Sequence, residues 1–230
     1  MIKRLGLVLE CDTGGPDELV FRCLIRRFST KGAETEVFPV CLGSKSGVME
    51  DAVSRAEALV AVEGCALVLI VWDLKPLWDE PPAKKCVDES ALLREKINEL
   101  DPHVSSRIRL LCLTWELETW LIAEDRAVRQ YLSKPAHPCK FQAPKKLDNV
   151  TDPKSHLIKA FTSFRGKSRR YDDRIEAIQI IQQWPDLTRV SKVDSFQRFA
   201  SLVTGRESPA FQQCGVVCND LAHQAARMGR

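Results

Sequence analysis

The chain has 230 residues, of which 44% are hydrophobic and 28% are charged, and its formal net charge is +3. This length and composition allow one large domain, or a domain with an elaborated half, around a substantial core. No apolar run approaches the roughly 18 residues that cross a bilayer, and the N-terminus lacks a stretch typical of a secretory signal. We therefore expect a soluble, cytoplasmic protein with no membrane partner.

The first 132 residues alternate between strand and helix patterns. Each of four apolar strand runs is followed by a helical pattern, and the last of these helices ends near residue 132. This alternation predicts an α/β fold: a parallel sheet with helices on both faces. The third run is apolar throughout, which indicates a central strand, and Pro39 marks the second run as an edge candidate. The four predicted strands are 4–10, 36–42, 66–72 and 107–113.

The alternation of strand and helix patterns ends after residue 132. Prolines interrupt a basic stretch, and helical patterns then follow near residues 153–162, 171–184 and 194–204. We predict an α/β domain over residues 1–132. Residues 133–230 would form a basic loop and a mostly helical extension packed on that domain.

Acidic residues follow three of the four predicted strands. Glu10 follows the first strand and Asp73 the third, and Glu116 and Glu118 come just after the fourth. Ligands of a parallel sheet bind beyond the carboxyl ends of its strands, so the topology predicts that these acids meet at one edge. Clustered carboxylates suit Mg²⁺ or Mn²⁺, which polarises a phosphate and activates water. The alternative is that each acid only caps the helix after its strand.

A strongly basic stretch runs from Lys134 to Arg170. It contains ten basic side chains against two acidic ones, a net charge of +8. Such a stretch suits a polyanion, which makes nucleic acid the candidate partner, and the alternative is a solvated loop. The candidate nucleic-acid-binding residues are Lys145, Lys146, Lys167, Arg169 and Arg170.

Several of the nine cysteines lie inside apolar strand or helix patterns. Without an export signal, we expect these cysteines to be reduced thiols that pack as small hydrophobic side chains. They are Cys23, Cys41, Cys65 and Cys112.

Three features of the chain resemble known families. A strand ending in Glu10, then a helix, and a later buried strand ending in Asp73 resemble the Toprim domain of topoisomerases, primases and OLD-type nucleases. Residues 116–124 (E-L-E-T-W-L-I-A-E) resemble the "E-x-E-x-W-L-x-A-D" segment of a Toprim-like prokaryotic family of unknown function. That family is often encoded beside an AAA-type ATPase. Residues 152–154, 164–171 and 195–199 resemble downstream elements of the same family.

The resemblance implies a Rossmann-like Toprim sheet and a metal-dependent nuclease that acts in prokaryotic defence with an AAA-type ATPase partner. It implies that Glu10 is a general base or metal ligand and that Asp73 binds the metal. Glu118, or else Glu116, would complete the Mg²⁺ or Mn²⁺ shell. Lys154 would neutralise the phosphate or the leaving group.

Two positions depart from the Toprim pattern. The second acid of the usual Asp-x-Asp pair is Lys75, and the glycine expected after the first glutamate is Cys11. Asp12, Asp17 or Asp79 is a candidate for the missing ligand. If none replaces it, the chain is a catalytically degenerate Toprim module that binds nucleic acid or a partner subunit. A small-molecule phosphotransfer enzyme is disfavoured because the chain has no glycine-rich phosphate loop.

Overall fold

The structure, a computed structural model, describes residues 4–28, 35–74, 85–115, 117–147, 150–166 and 170–206. Within these ranges the chain forms a four-stranded parallel sheet flanked by helices, followed by a helical region, in a Rossmann-like arrangement. Of the helices in these ranges, none has the length and hydropathy that a bilayer span requires. The elements are β1 (Arg4–Leu9), α1 (Pro16–Phe28), β2 (Glu36–Cys41), α2 (Lys45–Ala61), β3 (Leu67–Asp73), α3 (Cys86–Asn98), α4 (Pro102–Ser105), β4 (Ile108–Leu113), α5 (Glu118–Ala123), α6 (Asp125–Leu132), α7 (Pro153–Arg165), α8 (Asp173–Gln182), a 3-10 helix (Val190–Lys192) and α9 (Asp194–Thr204).

The strand order is β2-β1-β3-β4, and every neighbouring pair is parallel. The apolar strand β3 is central, as predicted, and is buried from Leu67 to Trp72 because it has no polar face to expose. Strand β2 lies at the edge, where Pro39 stands opposite Leu7. An edge position tolerates the absence of the N–H that proline lacks.

The two faces of the sheet bury two separate groups of apolar residues. Side chains of Leu5, Leu7 and Leu9 pack on one face with α1 and with helices from the C-terminal region. Val8 and Val68 point to the other face, which is covered by α2 and α3. The helices after residue 150 therefore share a hydrophobic core with the first half of the chain.

An aromatic cluster joins the C-terminal helices to the sheet. The fully buried Trp120 of α5 lies 5.5 Å from Phe21 of α1, measured between ring centroids. It lies 5.1 Å from Phe196 and 5.4 Å from Phe199, both of which belong to α9. The tryptophan thus fills the space between three helices that are distant in sequence.

The helix predicted between β4 and residue 132 is interrupted, so this part of the prediction is wrong. The backbone of Glu124 has φ −93° and ψ 64°, which ends α5 and starts α6. The Glu124 side chain is completely buried and accepts hydrogen bonds of 2.6 and 2.8 Å from Arg126. Arg126 also forms an ion pair with Asp186. The turn at Glu124 therefore places its buried carboxylate beside the positively charged Arg126.

The expectation of reduced cysteines is wrong at two positions. Cys112 of β4 forms a disulfide with Cys86, the first residue of α3, with 5.7 Å between their Cα atoms. Cys23 is disulfide-bonded as well. Cys41 and Cys65 are free thiols, as expected.

Candidate active site at the carboxyl edge of the sheet

The loop after β1 is a tight glycine turn. Gly14 adopts a positive φ of 74°, and a Cβ on Gly15 would lie 2.7 Å from the carbonyl oxygen of Asp12. The buried carboxylate of Glu18, in the first turn of α1, accepts a 2.7 Å hydrogen bond from the N–H of Gly14. Glu18 therefore anchors the loop, and the glycines are explained by the turn itself.

Glu10 and Asp73 meet at the carboxyl edge of the sheet. The Glu10 Oε2 atom accepts a hydrogen bond from the backbone N–H of Asp73 over 3.2 Å. The contact follows from the register of the two parallel strands, in which Leu9 stands opposite Val71. Both acidic residues are half-buried. The structure thus brings together the acids that end the first and third strands.

The surroundings of Glu10 disfavour its charged form. Burial is the largest influence and raises the pKa of its carboxyl group above the ordinary value of 4.5. The N–H of Asp73 and the ammonium of Lys45 act in the opposite direction, while the negative charge of Glu89 raises the pKa further. A carboxylate with a raised pKa is a stronger base towards an attacking water.

Lys45 belongs to this site although the sequence analysis did not select it. Its Nζ atom donates to the carbonyl oxygen of Leu74 over 2.8 Å and lies 3.6 Å from Oε1 of Glu89. Glu89 is buried and accepts a 2.7 Å hydrogen bond from the indole of Trp72. The position of Lys45, just after the carboxyl end of β2, is the signal that could have identified it.

The structure places Glu118 apart from Glu10 and Asp73, which corrects the predicted metal shell. Its buried carboxylate accepts a 3.2 Å hydrogen bond from the hydroxyl of Tyr171, which is also buried. No group of three or more metal-ligating side chains occurs among the described residues, so Glu118 does not join Glu10 and Asp73 in one cluster. The reason is that α5 begins at Glu118 and packs against α7 and α8.

Lys154 borders a cavity of about 310 Å³ that is also lined by Trp115, two residues beyond β4. The N–H of Leu74 donates a 2.7 Å hydrogen bond to the carbonyl of Leu113, the last residue of β4. This hydrogen bond aligns the ends of β3 and β4, so the cavity lies at the carboxyl edge of the sheet. The Lys154 Nζ atom pairs with Asp173 at 2.5 Å, which links α7 to the first turn of α8.

Two of the predicted nucleic-acid-binding residues, Lys145 and Lys146, line a basic groove of about 590 Å³. Lys145 and Lys146 are exposed there, and the groove also contains Lys192 and Arg189 from a distant part of the sequence. Arg189 pairs with the buried Asp125. None of the three lysines forms an ion pair with another described residue. The fold therefore adds two cations that the sequence analysis missed, because they lie outside the basic stretch.

Two further predicted residues lie at the surface of the described structure. Asp12 is exposed in the glycine turn, and Arg170 is exposed just before α8. Four further candidates lie outside the described residues, namely Asp79, Glu116, Lys167 and Arg169.

Glu10 and Asp73 supply two carboxyl groups at this edge, the number that a magnesium ion held mainly by water requires. Proteins commonly bind Mg²⁺ through one or two carboxylates, and water and phosphate oxygens complete its octahedron. The raised pKa of Glu10 agrees with this assignment, because a nearby cation would offset the cost of its buried charge. These two side chains are the ones that would hold the ion.

Comparisons with protein-family models, with curated proteins and with solved structures give no match to this chain.

Proposed function

We propose that this protein is a metal-dependent nuclease that hydrolyses phosphodiester bonds of DNA or RNA at the Glu10 and Asp73 edge. The observation that carries the proposal is the hydrogen bond from the Asp73 N–H to the Glu10 carboxylate. It joins two acids at the carboxyl ends of neighbouring parallel strands, where α/β proteins bind ligands. The resemblance adds that the nuclease is an effector in prokaryotic defence with an AAA-type ATPase partner.

Each residue of the edge has a distinct role in this proposal. A bound Mg²⁺ or Mn²⁺ would polarise the phosphate. Glu10 accepts the proton of the attacking water. The backbone of Asp73 orients the Glu10 carboxylate through its N–H group. The positive charge of Lys45 lowers the pKa of Glu10, whereas the negative charge of Glu89 raises it.

Lys154 and the basic groove would contact the substrate. Lys154 borders the cavity beside Trp115, and a phosphate oxygen there would compete with Asp173 for its ammonium group. Lys145, Lys146 and Lys192 would bind the phosphate backbone farther along the nucleic acid, since they have no carboxylate partners among the described residues.

A second candidate function is nucleic-acid or partner binding without cleavage. The observation that favours it is the burial of Glu118 against Tyr171, which leaves two of the predicted acids at the edge in the described part of the chain. In that case the basic groove would carry the activity, and the protein would serve as a binding subunit.

A cleavage assay separates the two functions. Plasmid DNA and tRNA are incubated with the protein and Mg²⁺ or Mn²⁺, and we compare Glu10→Gln and Asp73→Asn with wild type. The nuclease proposal expects Glu10→Gln to slow cleavage by roughly 10²–10⁴-fold, the usual contribution of a catalytic base. Asp73→Asn should also slow cleavage strongly, because it removes a ligand of the metal ion. Binding, measured by gel mobility shift, should persist in both variants.

The matched controls are Glu57→Gln and Asp51→Asn, which remove exposed carboxylates from α2. Cleavage that is equally fast in all four variants would contradict the nuclease proposal. Binding without any cleavage, if it depends on Lys145, Lys146 and Lys192, would support the second function.

A further inference from the structure

A second groove lies between α3, β4 and α9, at the opposite end of β4 from the candidate active site. Its volume is about 660 Å³, within the range of ligand-binding clefts. It touches the first three residues of β4, whereas the Glu10 and Asp73 pair lies at the carboxyl ends of the strands. Its lining residues are Arg94, Ile97, Ile108, Arg109, Leu110, Gln197, Arg198, Ser201 and Leu202.

Three exposed arginines on three different elements surround this groove. Arg109 donates hydrogen bonds to the carbonyl oxygens of Ser106 and Ile108, each over 2.8 Å. Arg198 approaches the carbonyl of Leu110 at 3.5 Å. Within the described part of the chain, no carboxylate pairs with these two arginines or with the third, on α3. Three unneutralised guanidinium groups around one groove favour an anionic ligand.

The floor of the groove is aliphatic. Ile97 and Ile108 are buried, and Leu110 and Leu202 are half-buried. None of the described lining residues is aromatic. Proteins that bind single-stranded nucleic acid stack its bases on aromatic side chains, so this floor suits the side chains of a peptide better than bases.

The groove also follows the outer strand of the sheet. Within the described sheet, β4 is an edge strand whose one neighbour is β3. Its first three residues, Ile108, Arg109 and Leu110, line the groove. The carbonyls of Ile108 and Leu110 already accept hydrogen bonds from Arg109 and Arg198. An extended peptide in the groove would therefore bind through its side chains, with carboxylates on the arginines and alternate aliphatic side chains on the floor. We propose that this groove binds an extended segment of a partner protein that combines acidic and aliphatic residues.

Fluorescence anisotropy with a defined probe tests the proposal. The probe is a fluorescein-labelled peptide of alternating glutamate and leucine or isoleucine, and the protein is the full chain. The test variant carries Arg94→Gln, Arg109→Gln and Arg198→Gln, all at exposed positions. We expect the wild type to bind the probe and the triple variant to bind it at least about tenfold more weakly, because it lacks the charge partners.

The matched control carries Arg55→Gln, Arg174→Gln and Arg206→Gln, which change the net charge equally at exposed positions outside the groove. It should bind the peptide like wild type, and a lysine-leucine peptide should not bind. Leu202→Asp, which places a negative charge in the floor, should also weaken binding.

Three results would overturn the proposal: no binding by wild type, equal weakening in the control, or displacement of the peptide by a short thymidine oligomer. Cleavage is not measured in this experiment, so its outcome is independent of the proposed nuclease activity.

Discussion

The indole N–H of Trp120 donates a 2.9 Å hydrogen bond to the hydroxyl of Ser195, which lies 75 positions later in the chain. Trp120 lies in residues 116–124 and Ser195 in residues 195–199, two of the motifs described in the sequence analysis. A second such contact joins Glu118 and Tyr171. In this protein, these motif residues therefore attach the C-terminal helices to the α/β sheet.

Replacing Ser195 with alanine should destabilise the protein, because the largely buried indole N–H of Trp120 would lose its partner. We expect a decrease of about 1–3 kcal/mol in the free energy of unfolding, measured by urea denaturation. Ser163→Ala, at an exposed position of α7, is the control and should stay within about 0.5 kcal/mol of wild type. Equal stability of the two variants would mean that the hydrogen bond contributes nothing.

The raised pKa of Glu10 predicts a pH-dependent effect of Glu10→Gln. Folding favours the protonated carboxyl group, so its stabilising contribution is complete below pH 4.5 and is lost as the pH rises through the folded-state pKa. The glutamine variant has no charge to bury. Its stability relative to wild type should therefore increase across that pH range, as measured by urea unfolding at a series of pH values. A difference that is constant or decreases with pH would refute this prediction. Glu57→Gln controls for the removal of a carboxylate.

The two charged neighbours of Glu10 should shift its titration in opposite directions. Lys45→Met removes a positive charge and should raise the pKa of Glu10, whereas Glu89→Gln removes a negative charge and should lower it. Carbon-13 NMR of the Glu10 carboxyl group measures both shifts. Lys96→Met is the control, since this lysine of α3 donates instead to the carbonyl of Met49. Shifts of the same sign in both variants would show that the assigned neighbours are wrong.

A magnesium ion held by Glu10 and Asp73 should stabilise the folded protein. Adding Mg²⁺ should raise the Tm of wild type, and EDTA should reverse the increase, because the ion binds the native state preferentially. Glu10→Gln and Asp73→Asn should each abolish the response, whereas Asp51→Asn should retain it. A magnesium response that survives both site variants would place the ion elsewhere.

The basic groove predicts a change in the salt dependence of nucleic-acid binding. Replacing Lys145, Lys146 and Lys192 with glutamine should reduce the slope of log affinity against log salt on duplex DNA. The expected reduction is roughly 0.9 for each phosphate that the groove no longer neutralises. The control replaces three exposed lysines of the basic stretch that lie outside the groove, namely Lys134, Lys140 and Lys159. If both triple variants reduce the slope equally, then overall charge and not the groove determines binding.

The sequence alone predicted the α/β class, the central position of β3 and the edge position of β2. An uninterrupted apolar run indicates a strand that is buried on both faces, and a proline indicates a strand that lacks one backbone hydrogen bond. Both features can therefore be recognised in the sequence. The sequence also selected Glu10 and Asp73, because parallel topology sends the carboxyl ends of all strands to one edge.

Only the tertiary structure decided which charged side chains lie beside one another in the other contacts. Glu118 lies against Tyr171, and Lys45 lies beside Glu89 near Glu10. A lysine of the 3-10 helix joins the two lysines of the basic stretch in the basic groove. These pairings depend on how helices from distant segments pack on the sheet, and the spacing of residues along the chain carries no record of that packing.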